Sequence, residues 1–581
     1  MGKKQKDLFR EEMVQSPGRT AARNFFSRRL SIVGMAIFAF IFFGCLITSL
    51  VIPIDLTYTD STRINLPPSL DYLRVPDALA GNIKAMDIGS TYGMGIDQNG
   101  KLHMWGTMYD TAAKLKDLPA DMKPLKLIAC GLDHASAVAE DGTIYSWGND
   151  RMNITKINED AQGKDIVDIQ AGQWVTIALD SGGNLYFWGN DSQFTFRASD
   201  HQGSYKAFAI NIATAIGLTN DGNVMALTRT DTGFSRVPDE VQGHAVAVAS
   251  TDKIGAALLD DGRVITWGPT TEREQLTVPE EIQGRVTQID GGRTHFSALL
   301  DDGSVVSWGE NSFGQINYPS LTGYDKVIAG YYQNAALTSE GGVATWGQRG
   351  YLMGTDQSGR DVFTRLIYGG RISLTVGFIS VLISGFIGIL LGGMSGYFGG
   401  KTDMFIMRLG EVFSSIPFIP LAIMLAAVVS NRISDTQRVI MIMFILGFLN
   451  WPGFARLARA QILSEKQNEF VTAAQAMGIR ERVIIFRHIM PNVLGVVLVS
   501  LTLSMATCLL LESTLSFLGF GIIEPTPTWG NMLNKCVDST VIRKFWWRWV
   551  FPSLALGLST ISINIMGDGL RDAIDPKSND R

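Results

Sequence analysis

The sequence predicts a multidomain molecule: an all-α domain of six transmembrane helices into which an all-β, seven-bladed propeller is inserted. Three observations carry this. Uncharged apolar runs long enough to cross the ~30 Å hydrocarbon core, which takes about 20 helical residues, occur once near the N-terminus and then only after residue 370. Between them, Trp-Gly pairs recur at intervals of roughly 40 residues. Charge divides at the same places: residues 81–350 hold 20 basic and 33 acidic side chains, a net of −13, whereas the remainder nets +8. The whole-chain values, 46% hydrophobic and net −5 over 581 residues, average two unlike parts and describe neither.

Residues 1–32 are polar and carry eight basic side chains (Lys3, Lys4, Lys6, Arg10, Arg19, Arg23, Arg28, Arg29) against three acidic ones. Basic flanks stay on the cytoplasmic side, so this segment is expected inside. The first span, 33–54, has a long leader, full spanning length and no small-x-small cleavage site, and reads as an uncleaved anchor. The later spans are 372–400, 412–430, 439–455, 493–511 and 549–567. The fourth is short and holds Pro452, so a kink or a tilt is expected there. Six crossings return the C-terminus to the cytoplasm and place 456–488, with six Arg or Lys, inside as well. The loop 524–548 is then expected outside, although it carries Lys535, Arg543, Lys544 and Arg548. In the second span Ser384, Gly388, Gly392 and Gly396 repeat every four residues. Small residues at that spacing line one helix face and admit a neighbouring backbone. Arg408 and Glu411, three apart, can pair along a helix at the membrane edge.

The inserted part follows Pro67-Pro68-Ser69. Trp105, Trp147, Trp188, Trp267, Trp308 and Trp346 each precede a Gly, and the doubled gap after Trp188 holds a degenerate unit with Leu227 in the Trp position. Five residues before each stands another Gly (Gly100, Gly142, Gly183, Gly222, Gly262, Gly303, Gly341), usually after Asp or Asn. Asp141-Gly142-Thr-Ile-Tyr-Ser-Trp147 is typical: a tight hairpin turn feeding a short strand. An apolar strand such as 296–300 stands upstream of each turn, itself preceded by Ile-x-x-Gly, as in Ile128-Ala-Cys-Gly131. Seven such units over 80–350 make a propeller, with the Trp residues as blade-packing core. The pattern resembles regulator of chromosome condensation repeats, shorter per blade than the eukaryotic type. Its acidic balance does not suit DNA, so no nucleic-acid partner is expected. His103, His134, His201, His244 and His295 show no metal-ligand spacing, and Cys45, Cys130, Cys508 and Cys536 are unpatterned. No catalytic residue or metal site is therefore expected, and the propeller reads as an external recognition or docking module, or as a folded decoration.

The segment 456–492 contains Glu469-Phe-Val-Thr-Ala-Ala-Gln-Ala-Met-Gly478 and then Ile479-Arg-Glu-Arg-Val-Ile-Ile-Phe-Arg-His-Ile-Met-Pro491. Physically this is helix, Gly punctuation, helix, Pro stop. The order of residues resembles the EAA loop of importer-type ABC transporter permeases, in the form of the dipeptide/oligopeptide/nickel class. In that family the loop is the coupling helix, which fits a groove on the ATPase subunit and transmits its closure. The matching positions are Ala473, Ala474, Gly478 and Pro491; Thr472 stands where the broader motif has Glu, and Met490 where it has Leu. Three further blocks resemble the same class: Gly354-Thr-Asp-Gln-Ser-Gly-Arg-Asp361; Leu515-Ser-Phe-Leu-Gly-Phe-Gly521 with Pro525-Thr-Pro-Thr-Trp-Gly-Asn-Met532; and Gly567-Asp-Gly-Leu-Arg-Asp572. The resemblance covers nearly all of 1–70 and of the membrane domain, 354–575.

It implies a permease subunit of the bacterial cytoplasmic membrane that moves peptides or a related small solute inward by alternating access. It also implies a second permease subunit, ABC ATPase subunits and an extracytoplasmic solute-binding protein, with membrane lipid around the bundle. A nickel or other small-ligand importer is the alternative within transport; a membrane-anchored propeller receptor is the alternative outside it. Gly400-Lys401-Thr402 is no phosphate loop, since Ser395 occupies the position of its first Gly and a membrane helix precedes it. ATP is thus expected to be used by partner subunits, with no cofactor bound directly here. Substrate-binding residues are not legible in the sequence.

Overall fold

The computed structural model describes residues 17–52, 54–108, 110–190, 201–212, 214–228, 233–320, 322–430 and 433–574. The chain divides into two compact units, Asp60–Gly359 and the two segments flanking it.

In the flanking unit, four helices are long and apolar enough to span a membrane: Arg29–Val51, Val362–Phe398, Arg487–Phe517 and Trp547–Ile574. Two bent pairs complete the set, Gly400–Ser415 with Phe418–Val428 at 85° and Asp435–Leu449 with Trp451–Glu465 at 41°. Taking each pair as one crossing gives six. The sharpest bend is not at Pro452 but at Ile416, whose extended backbone (φ −88°, ψ 129°) is what a residue before proline prefers. The fourth span is bent as expected, at Asn450, and Pro452 sits in the first turn of the helix that follows, where a missing N–H costs nothing. The fifth span runs past its expected end at 511 to Phe517. It carries Glu512 inside the protein, where the hydroxyls of Ser516 and Ser513 donate to the carboxylate at 2.7 and 3.3 Å.

The chain then folds back on itself. Thr528 and Asn531 form a capping box that starts the helix Trp529–Asn534. The Asn531 amide donates to the carbonyls of Ile522 (3.2 Å) and Thr526 (2.7 Å). Trp529 donates its indole N–H to the Leu366 carbonyl at 2.9 Å, and its ring occupies the space where a Cβ on Gly370 would fall, 2.7 Å away. The block 515–532 is thus one knot against the helix Val362–Phe398.

Among the described residues of the other unit are seven three-stranded antiparallel sheets, each built from contiguous chain. Blade 1 is Ile83–Ile88, Tyr92–Asp97 and Leu102–Gly106, and blade 7 is Lys326–Ala329, Gln333–Leu337 and Val343–Gly347. The first strand of each blade neighbours that of the next, and blade 7 neighbours blade 1, so the sheets close into a ring. All seven hairpin glycines, Gly100 to Gly341, have φ between +72° and +85°, a region that side chains avoid. Middle strands such as His134–Ala139 are buried along their whole length, which is why they read as unbroken runs of apolar and small residues.

The ring is closed by the segments that lead into and out of it. The Asp60 N–H donates to the Ser358 carbonyl at 2.8 Å, the Asn65 N–H to that of Asp356 (3.0 Å) and the Ser69 N–H to that of Tyr351 (2.9 Å). Arg63 is fully buried among them, its guanidinium 4.0 Å from the ring centres of both Phe313 and Tyr332. It donates to Asp60 (2.6 Å), Gln348 (2.8 Å) and Tyr351 (2.5 Å). Asp60 accepts in turn from Arg293 (2.9 Å) and Tyr332 (2.6 Å). The compact unit therefore extends beyond the repeats of 80–350 to include this clasp.

Candidate coupling helix and membrane cavity

The helix Glu469–Ala476 presents one face inward, Val471 and Ala474, onto a cluster with Tyr397, Ile462, Ile484, Ile489, Val493 and Val497. Spacing of three puts those two on one side. Thr472, Ala473 and Gln475 are turned out to the surface. The helix ends in a Schellman arrangement: Ile479 N–H donates to the Ala474 carbonyl (3.2 Å) and Gly478 N–H to that of Gln475 (3.0 Å). Gly478 takes φ +73° with open space where a Cβ would lie, so its backbone angle, not crowding, calls for glycine. The expected proline stop is absent. Pro491 lies in the first turn of Met490–Phe517, directly after the π turn Ile484–Ile489, and the helical path continues through it. A wide turn gives the ring room within that continuous path.

Several polar ties hold this helix to the bundle. Glu465 accepts from the amides of Asn468 (3.1 Å) and Asn492 (3.0 Å), joining the helices on either side of it. Arg459 makes a forked pair with Asp403 at 2.5 and 2.6 Å. Lys466 donates to the Tyr397 carbonyl at 2.9 Å. The stripe Ser384, Gly388, Gly392 and Gly396 is buried and faces Trp451–Glu465: a Cβ at Gly388 would fall 2.3 Å from that of Phe454, and one at Gly392 2.3 Å from the Ala455 carbonyl oxygen. Arg408 and Glu411 pair at 2.7 Å on an exposed surface.

At the break of the fourth span lies a cavity of about 260 Å³ lined by Asn450, Gly453, Phe454, Ser500, Ser504, Thr507 and Cys508. Ser500, Ser504 and Thr507 are spaced to share one helix face. A second cavity, about 470 Å³, shares Asn450 and Gly453 and is lined also by Arg456 and the bend at Ile416 and Pro417. Hydroxyls and an amide inside otherwise apolar helices offer hydrogen bonds to a polar solute in transit. Sequence reading did not single these residues out. Their signal was there in the hydroxyl spacing along the fifth span, which a search for uncharged runs passes over.

The six propeller tryptophans are buried between blades, and Leu227 fills the seventh position. Four of them donate their indole N–H to a carbonyl 32 or 33 residues earlier: Trp105 to Leu73 (3.1 Å), Trp147 to Leu115 (3.2 Å), Trp267 to Phe234 (2.9 Å) and Trp308 to Gln275 (3.2 Å). A second periodic device is a Gln-Gly pair in the straps between blades. Gln202, Gln242 and Gln283 each bracket one residue of the preceding outer strand, accepting from its N–H and donating to its carbonyl, Leu185, Val224 and Val264 respectively, at 2.7 to 3.0 Å. The first strands of all seven blades line an axial cavity of about 300 Å³ that includes Asp87, Asp168, Gln170, Gln288, Asp290 and Lys326. Here the polar side chains stitch neighbouring blades: Asp87 accepts the Cys130 N–H (2.6 Å) and Asp290 the Ala329 N–H (2.9 Å). Burial pushes Asp168 and Asp290 up to about 6, against the pull of their hydrogen bonds and of Lys326. The enclosed His134 and His295 are pushed down to about 3 and about 4, so both stay neutral at pH 7.

Residues 388–580 match the family described as binding-protein-dependent transport system inner membrane component, and 16–68 match the N-terminal membrane domain of oligopeptide transport permease C. Residues 126–153 and 286–315 match the regulator of chromosome condensation repeat. The oligopeptide transport system permease protein OppC of Haemophilus influenzae is 44% identical over 227 residues, 39% of this chain and 70% of that protein. The dipeptide transport system permease protein DppC of Bacillus subtilis is 40% identical over 227 residues, 39% of this chain and 69% of that protein. Among solved structures, the CRINKLY WD40 ectodomain of an Arabidopsis thaliana receptor kinase is 16% identical over 46% of this chain and 96% of its own, with a TM-score of 0.35.

Proposed function

The chain belongs to the binding-protein-dependent transport permeases, on the branch of the oligopeptide and dipeptide systems, and from that premise we propose how its parts divide the work. It is a multi-pass membrane permease subunit of an ABC importer, not an enzyme, and ATP is hydrolysed on separate subunits. Its cargo is peptides. The helix Glu469–Ala476 is the contact with the ATPase, offering Thr472, Ala473 and Gly478 on the cytoplasmic side. A second permease chain completes the pathway, with the hydroxyl-lined cavity at Asn450 as this chain's share of it. No cofactor binds directly. The N- and C-termini are cytoplasmic, and the propeller is extracytoplasmic, where it docks the solute-binding protein or recognises its cargo.

The observation that carries this reading is the coupling helix itself. Its buried face is tied to both flanking membrane helices, so a push on its exposed face is delivered to the kinked span and to the cavity. The test is uptake of a labelled oligopeptide into vesicles that hold the assembled transporter, with ATP hydrolysis followed in parallel. Gly478→Val is expected to lower uptake at least tenfold while leaving membrane insertion intact and uncoupling hydrolysis from transport. Undiminished uptake would remove the coupling role. Competition by free Ni²⁺ with no competition by peptides would move the cargo to the nickel branch.

A further inference from the structure

The pathway proposed above, on which the following rests, is bordered by a cation that has no carboxylate partner among the described residues. Arg456 and Arg459 stand one turn apart on the helix Trp451–Glu465. Arg459 is forked onto Asp403. Arg456 is exposed, lines the cavity at the bend of Ile416 and Pro417, and donates only to the Ser414 hydroxyl, at 3.5 Å. The acid at the foot of the third span, Glu411, is engaged by Arg408 at 2.7 Å. A guanidinium within a spanning pair of helices is costly, and such groups are kept where they face a watery cavity or meet an anion.

The adjoining cavity holds further polar groups in the same condition. Ser500, Ser504 and Thr507 line it and make no hydrogen bond to any described residue. Thr502 and Thr514 of the same helix, which do not line it, bond back to the carbonyls of Leu498 (2.9 Å) and Leu510 (2.7 Å). Back-bonding is the local outlet for a hydroxyl in a helix, and the cavity face leaves it unused. Asn450, common to both cavities, donates its amide to the Leu446 carbonyl at 2.8 Å, and its side-chain oxygen accepts from no described residue. Neither lining includes an Asp or Glu among the described residues. Hydroxyls and an amide oxygen suit any peptide main chain, whereas a guanidinium selects an anion, and its planar fork matches the two oxygens of a carboxylate. An unblocked peptide carries that group at its C-terminus whatever its sequence, and a bare divalent cation would be repelled at the same place.

We propose that Arg456 is a specificity-determining residue of the pathway: it receives the C-terminal carboxylate of the peptide as cargo passes from the hydroxyl-lined cavity at Asn450 toward the cytoplasmic side.

The test is uptake into vesicles holding the assembled transporter, with rates taken per assembled complex. One neutral tripeptide is supplied as the free acid and as the C-terminal amide, and a third peptide is an amide with one glutamate side chain. The same solute-binding protein serves throughout, so its own preferences cancel between permease variants. Arg456→Gln is expected to lower uptake of the free acid about tenfold or more, as for loss of a hydrogen bond between charged groups, and to leave the neutral amide unchanged. Arg456→Lys, which keeps the charge without the fork, is expected to lie between. An equal fall for acid and amide would reduce Arg456 to a structural part, and an unchanged acid rate would remove the contact; either overturns the proposal. A glutamyl amide as sensitive as the free acid would overturn the assignment to the C-terminus. The pathway itself is checked separately with Ser504→Cys, reacted after assembly with a bulky thiol reagent and compared with the parent chain treated alike. Uptake of all three peptides is expected to stop; continued uptake would overturn the pathway reading, whatever the result at Arg456.

Discussion

A guanidinium with no exposed surface, lying between two aromatic rings and bonded to a carboxylate, is a position where side-chain geometry decides stability. Arg63→Met would leave Asp60 buried with one cation fewer, a loss of about 3–5 kcal/mol for a broken buried pair. The expected result is an earlier propeller transition in calorimetry and earlier tryptic cleavage within 60–359. Arg63→Lys should restore little, because an ammonium cannot lie flat between Phe313 and Tyr332 while donating to three partners. At Asp168 the sign depends on pH. Its folded pKa, near 6, lies above the unfolded value near 4, so the folded state holds the extra proton between those limits and stability falls as pH rises through them. Asp168→Asn removes the group that must ionise. It should raise the melting temperature at pH 8 and leave it nearly unchanged at pH 4. The tryptophans offer a matched pair: Trp308→Phe loses the bond to Gln275, whereas the Trp188 indole nitrogen has no partner among the described residues. Trp308→Phe should therefore cost about 1 kcal/mol more, read from chemical denaturation.

At the scale of elements, the glycines that the sequence displays so plainly divide by cause. Gly142 and its six equivalents are there for a backbone angle, Gly388 and Gly392 for a close helix approach, and the two kinds respond differently to substitution. Gly392→Leu should displace Trp451–Glu465 and abolish folding of the membrane part, seen as loss of the protein from the membrane fraction. Gly478→Ala meets open space and should cost only the left-handed backbone penalty, about 1 kcal/mol, so that any larger fall in uptake reports on coupling. The blades were legible because a turn glycine and a Trp recur at fixed offsets, each demanded by one local geometry. The Gln-Gly straps were equally periodic but hid among polar connections, since an amide that brackets a strand looks in sequence like any surface glutamine. The bend at Ile416 was legible in principle from Pro417, yet the short length of the fourth span drew the expectation to Pro452, which sits in the first turn of a helix just after the break. The hydroxyls of the cavity at Asn450 were legible as a spacing along the fifth span, but the cavity itself was not, because the crossing of the fourth and fifth spans forms it and no local pattern encodes that crossing.

For the whole molecule, the two units make opposite demands on solvent, and each has its own core. Replacing 75–350 by a short Gly/Ser linker keeps the main-chain bonds that Asp60 and Asn65 donate to Ser358 and Asp356 and the one that Thr355 donates to Leu66. Such a chain should insert and assemble with normal yield. If the propeller docks the binding protein, uptake at limiting binding protein should fall several-fold while the rate at saturation is retained; equal curves would retire the docking role.

Ser69 and Tyr351 are hydrogen-bonded neighbours although 281 residues lie between them. In terms of chain statistics, a floppy segment of that length would charge the two helices it joins a closure entropy about 3 kcal/mol greater than a loop of ten residues does. The clasp cancels that difference, because the folded ring returns the chain to the point where it left. During synthesis the second span can therefore find the first as though only a short connection had been made, and the number of blades in between is free to vary without the membrane part registering it.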